Sequence, residues 1–145
     1  MLTRRGFFLT AAAAGGALVT APRLAFAATP LAFSDLYQRE TVLTPLAEGL
    51  AGQPVQMTGY MAPPLKAEAS FFVLTAQPMA VCPFCETELQ WPDDIVLVLT
   101  SGVISAVPFN RPIRVEGVFE TGFTTDPETG FVSFLRITNA SFQRV

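Results

Sequence analysis

Pro54-Val55-Gln56-Met57-Thr58-Gly59-Tyr60-Met61 places apolar side chains at every second position, with Gln56, Thr58 and Tyr60 between them. Successive side chains of an extended chain point to opposite faces, so this alternation predicts a half-buried β-strand. The same rhythm of Pro, apolar, polar, apolar, polar, Gly returns in Pro112-Ile113-Arg114-Val115-Glu116-Gly117. A mid-strand Gly is where a barrel strand bends sharply, bulges or lets another backbone come close. The two runs therefore read as strands with shared mechanics.

Working outward, Phe71-Phe72-Val73-Leu74-Thr75 and Ile95-Val96-Leu97-Val98-Leu99-Thr100 are continuous apolar runs, rich in β-branched and aromatic residues and too short for core helices. Phe131 to Ile137 gives a further strand after the turn signal Asp126-Pro127-Glu128-Thr129-Gly130. Five strands with little helix between them predict a mainly β fold, a small closed or partly closed antiparallel barrel of the OB type. Before them, Ser34-Asp35 offers an N-cap and an acidic first turn for a short helix from Asp35 to Val42, and Thr44-Pro45 starts a second that ends near Ala51. Ala28 to Pro30 reads as a loose leader. The expected organisation is a signal over residues 1–27, a leader and helical cap over 28–52, and the barrel over 53–145.

The signal is carried by Thr3-Arg4-Arg5-Gly6-Phe7-Phe8-Leu9, an arginine pair followed one residue later by bulky apolar residues, as in twin-arginine export signals. The apolar stretch from Phe7 to Ala21 falls short of the roughly 20 residues of a membrane-spanning helix, which argues against a permanent membrane anchor. Ala25-Phe26-Ala27 supplies the small-x-small pattern read by signal peptidase before Ala28. The expected partners during export are the twin-arginine translocase, recognising Arg4 and Arg5, and signal peptidase, cutting among Ala25, Ala27 and Ala28. The expected location is the periplasm. Such substrates cross folded, so a metal could be loaded in the reducing cytoplasm.

Removing 27 of the 145 residues leaves 118, enough for one domain. Six basic residues then face twelve acidic ones, a charge of −6 that does not suit nucleic acid. The sequence contains no His. Ser/His/Asp triads, Cys/His pairs and His-based zinc sites are thereby excluded, and a non-enzymatic role is favoured.

One motif has chemistry that depends on spacing, Cys82-Pro83-Phe84-Cys85, which contains both cysteines of the chain. Two intervening residues bring the sulfurs within reach of one metal ion or of each other. As a metal site, it has two thiolates and acidic neighbours, with Glu86 and Glu88 as the nearest additional ligands and zinc or copper as the fitting ions. As a redox dithiol, it has the Pro-aromatic pair but lacks a long following helix to stabilise the thiolate, since Pro92 limits one. As a structural disulfide, it closes a short loop. Trp91 reads as a cover for the barrel end, and Asp126, Glu128 and Gly130 lack the spaced oxygen ligands of a calcium loop.

Gly52, Val55, Gly59-Tyr60-Met61 and Pro63, followed by Phe71 to Leu74, the Cys82 to Cys85 cluster and Ile95 to Val98, resemble a bacterial family of small exported proteins of unknown function. Its members carry a Gly-Tyr-x-x-Pro strand and then a Cys region. The resemblance spans Ala47 to Ala140. It implies an OB-like exported domain, in some cases encoded beside ABC-type permeases suspected of metal handling, and so a periplasmic protein or a transport system as partner. Some relatives have a His beside the cysteine, where this chain has acidic neighbours instead.

Overall fold

The computed structural model describes residues 27–64, 68–80, 92–127 and 130–145. The elements run β1 (Thr29–Pro30), a 3-10 turn (Phe33–Asp35), β2 (Tyr37–Arg39), β3 (Val42–Leu43), α1 (Pro45–Gly49), β4 (Pro54–Met61), β5 (Phe71–Thr75), β6 (Ile95–Thr100), β7 (Pro112–Thr125) and β8 (Val132–Arg144). The five strands expected from alternation and apolar runs are β4 to β8. Hydrogen-bonded neighbours follow the order β4, β5, β6, β8, β7, and β4 also pairs with β7. The ring is partial, because β4 meets β5 at only two registered pairs, Tyr60 with Thr75 and Met61 with Leu74. β6 and β8 run parallel while the other ring pairs are antiparallel, so the barrel is mixed.

The two Pro-to-Gly runs lie against each other. Pro54 is registered with Val118 and Tyr60 with Pro112, so Gly59 faces Ile113 and Gly117 faces Val55. Each Gly is required by a close approach. A Cβ on Gly59 would stand 2.6 Å from Thr75 O and 3.0 Å from Phe33 Cε2. One on Gly117 would stand 2.6 Å from both Thr138 O and Ile137 Cγ2. The second contact coincides with a bulge: from Glu116 to Val118 on β7, the β8 partners change from Ser141 to Thr138, which leaves an extra residue on β8. Asn139 in this stretch has φ 49°.

Val55, Met57, Met61, Ile113, Val115 and Phe119 bury their side chains in the barrel. β5 and β6 differ from this alternating pattern, for Phe72, Val73 and Leu74 are buried in succession, as are Ile95 through Val98. A strand dry on both faces reads as a continuous apolar run, which is how these two read.

The N-terminal region departs from expectation in two places. Thr29 and Pro30 do not form a loose leader; they pair parallel with Val55 and Gln56 as an added edge strand. The helix expected from Asp35 to Val42 is a single 3-10 turn followed by the β2–β3 hairpin. Its acidic signal is spent locally, with Ala32 N–H donating to Asp35 Oδ2 at 3.2 Å. Glu40 then takes φ 44°, which turns the chain back. The second helix forms where Thr44-Pro45 predicts it. Thr44 Oγ1 accepts from Ala47 N–H at 3.1 Å, capping α1 with Pro45 in its first turn.

Candidate functional site

The connection from β5 to β6 carries the cysteine motif, and the structure describes both of its ends. Thr75 is registered with Ile95, and beyond them Ala76 N–H donates to Asp94 O at 2.9 Å, so the hairpin ladder continues one step into the connection. Thr75 is fully buried, and its hydroxyl lies 2.7 Å from Gln77 O and 3.2 Å from Tyr60 O. A buried hydroxyl must find an acceptor, and here the acceptors are the departing connection and the neighbouring β4. The same residue thus ties the ring joint to the base of the connection.

Cys82, Cys85, Glu86, Glu88 and Trp91 lie outside the described residues, as do Arg4, Arg5, Ala25, Lys66 and Glu128. Of the acidic residues that follow the motif, Asp93 is exposed and Asp94 is half-buried at the returning end. Among the described residues, no group of three or more His, Cys, Asp and Glu side chains could hold a metal ion. Ala27 is exposed and Ala28 half-buried, and Thr29 is registered with Val55. Among the described residues, no helix is long and apolar enough to cross a membrane.

A second polar cluster escaped the sequence reading. Val73, Leu97, Arg136 and Glu120 are successive registered neighbours across β5, β6, β8 and β7, and the guanidinium side chain is only 9% exposed. Arg136 Nη1 donates to Gly122 O at 2.8 Å, and to Ser133 O and Ser133 Oγ at 3.1 Å each. Its Nε donates to Glu120 Oε2 at 3.4 Å. These acceptors surround a second bulge, where β7 advances from Thr121 to Thr124 while β8 moves only from Leu135 to Ser133. A charge this buried persists only when its donors are matched, and this one is matched by the chain itself. The arrangement clamps the bulge. The sequence signal for it was a single Arg within Phe134-Leu135-Arg136-Ile137, an apolar run where a solvated charge has no place.

With this geometry in hand, the chain can be set beside known proteins. It is similar in structure to a DUF3299 family protein from Pseudomonas aeruginosa PAO1, with a TM-score of 0.54 and 18% identity over 82% of this chain and 97% of that one. The likeness is one of fold. No family model and no curated protein matches the chain.

Proposed function

We propose that the domain works in the periplasm, after export by the twin-arginine translocase and cleavage before Ala28. There the loop of Cys82, Cys85, Glu86 and Glu88 binds a thiophilic metal ion, zinc or copper, or a protein of a transport system. It acts as a binding domain and catalyses no reaction. The supporting observation is the base of the cysteine connection: the Thr75–Ile95 pair and the Ala76–Asp94 hydrogen bond pin both ends of the segment that holds the only two cysteines. A pinned base shortens the length of chain left to close around a ligand, and loop-closure cost falls with loop length.

Elemental analysis with free-thiol counting, on protein recovered from the periplasm, tests the binding role. The expected result is about one zinc or copper per monomer or per dimer, with both thiols free of disulfide. Protein without metal, and without micromolar affinity for either ion, would sink the metal reading. A Cys82–Cys85 disulfide with a potential well below about −300 mV would make the pair a structural staple, while a higher potential with exchange activity would make it a redox dithiol. Export is tested separately. Arg4→Lys with Arg5→Lys should leave the uncleaved precursor in the cytoplasm, and unchanged delivery would refute the twin-arginine route.

A further inference from the structure

The start of β7 and the end of β8 gather three of the six basic residues that follow Ala27, namely Arg111, Arg114 and Arg144, in a segment of chain that is otherwise acidic. The sheet separates them. Arg114 is registered with Gln143 and lines a cavity of about 240 Å³ together with Glu116, so its charge is offset there. With its amide oxygen and nitrogen exchanged, the orientation that satisfies both neighbours, Gln56 bridges the two, its side-chain oxygen accepting from Arg114 Nε at 3.0 Å and its amide nitrogen donating to Glu116 Oε1 at 3.3 Å. Arg144 is registered with Ile113, which faces the core, and with Arg111 it lines a different cavity of about 540 Å³. The remaining walls are Pro108, Pro112 and Val145.

No acidic side chain lines this second cavity, although Val145, the last residue described, brings its α-carboxylate to the wall; among the described residues the one ion pair is Arg136 with Glu120, so neither Arg111 nor Arg144 is ion-paired. Two guanidinium groups beside one cavity repel each other weakly through water and much less once an anion lies between them. Each presents a planar fork of donors that fits the paired oxygens of a carboxylate or phosphate. The frame is stiff. Arg111 N–H donates to Pro108 O at 3.0 Å and Val145 N–H to Pro112 O at 3.2 Å, and the two prolines have fixed φ. The volume suits a small organic anion rather than a bare halide.

The geometry points to an anion-binding site at this end of the barrel, formed by Arg111 and Arg144, for a small ligand bearing a carboxylate or phosphate. It is independent of the cysteine loop and makes no use of it. The test is NMR titration of the purified protein with citrate and, separately, with inorganic phosphate, in about 0.15 M chloride to screen diffuse attraction. Saturable shifts at the Arg111 and Arg144 Nε–H signals are expected with at least one of the two, and which anion gives them assigns the ligand class. Arg111→Gln and Arg144→Gln should each weaken that binding about tenfold, as loss of a charged hydrogen bond does. Arg114→Gln, across the sheet, should change it less than about twofold. The assignment is overturned if neither anion saturates these signals, or if Arg114→Gln weakens binding as much as the other two substitutions.

Discussion

The strand pairs β4–β7 and β5–β6 belong to one sheet and differ in how many of their faces are dry. In β4 the buried residues Val55, Met57 and Met61 alternate with Gln56, Thr58 and Tyr60, and Thr58 is exposed. In β5 the outward Val73 is nearly as buried as the inward Phe72 and Leu74, at 4% against 1% and 0% exposure. The wet pair tolerates polar chemistry on its outer face and uses glycines to fit its neighbours. The dry pair is apolar from Phe71 to Leu74 and from Ile95 to Leu99, admits Thr75 only with its hydroxyl hydrogen-bonded, and is the one from whose end the cysteine connection departs.

The sharpest way to break this comparison is a carboxylate on the outer face of each pair. Val73→Asp buries an unpaired charge and should lower stability by about 3–5 kcal/mol. Thr58→Asp, exposed and registered with Arg114, should cost under about 1 kcal/mol. Urea unfolding of both variants reads the difference directly, and equal costs would mean that the two outer faces are alike.

The two glycines sharpen it next. Either Gly→Ala change drives a methyl group onto a backbone oxygen and should cost about 1–3 kcal/mol. They should differ in where the damage appears. The neighbours of Gly59 are Thr75 O, Phe33 and Leu74, so Gly59→Ala strains the narrow joint between β4 and β5. The neighbours of Gly117 are all on β8, so Gly117→Ala strains the bulge at Asn139. Amide exchange should speed up at Ala62, whose N–H donates to Val73 O, in the first variant, and at Phe142 and Ile137 in the second. The same pattern in both would show that the glycines serve one joint rather than two.

These contrasts also mark what the sequence made legible. The five ring strands were readable because burial on one face imposes period two and burial on both imposes a continuous run. The glycine positions were readable because nothing else explains Gly within strongly apolar strands. Local signals misled around Asp35, where a cap and an acidic first turn suit a 3-10 turn as well as a helix. Burial of Leu36 and stacking of Tyr37 on Phe134, with centroids 6.3 Å apart, lie across the fold from that segment, and no local pattern reports them. The pairing of Thr29 with Val55 and the parallel β6–β8 contact are equally nonlocal. The same holds for Arg111 and Arg144, which are far apart in sequence and come together only because β7 and β8 pair end to start. The cysteine motif was the most conspicuous feature of the sequence, yet Cys82 and Cys85 fall outside the described residues, so its chemistry rests on the sequence and on the base that the structure describes.

The smallest contrast lies on β8, the strand that joins the two pairs. Arg136 and Glu120 form an ion pair, but their exposures of 9% and 45% mean that the two partners do not contribute alike. Arg136→Met removes the donors to Gly122 O and to Ser133 and leaves those acceptors to find water at a crowded bulge, so a loss of about 1–2 kcal/mol is expected. Glu120→Gln keeps an acceptor near Nε, and the charge it removes is already half in solvent, so the loss should stay under about 0.5 kcal/mol. Raising the salt from 0.05 to about 0.5 M should weaken the parent slightly and the Glu120→Gln variant not at all, because only the parent retains the attraction that salt screens. If Glu120→Gln instead costs as much as Arg136→Met, the guanidinium is held by its ion pair rather than by the backbone of the bulge. The clamp would then belong to the electrostatics of the outer face and not to the geometry of β7 and β8.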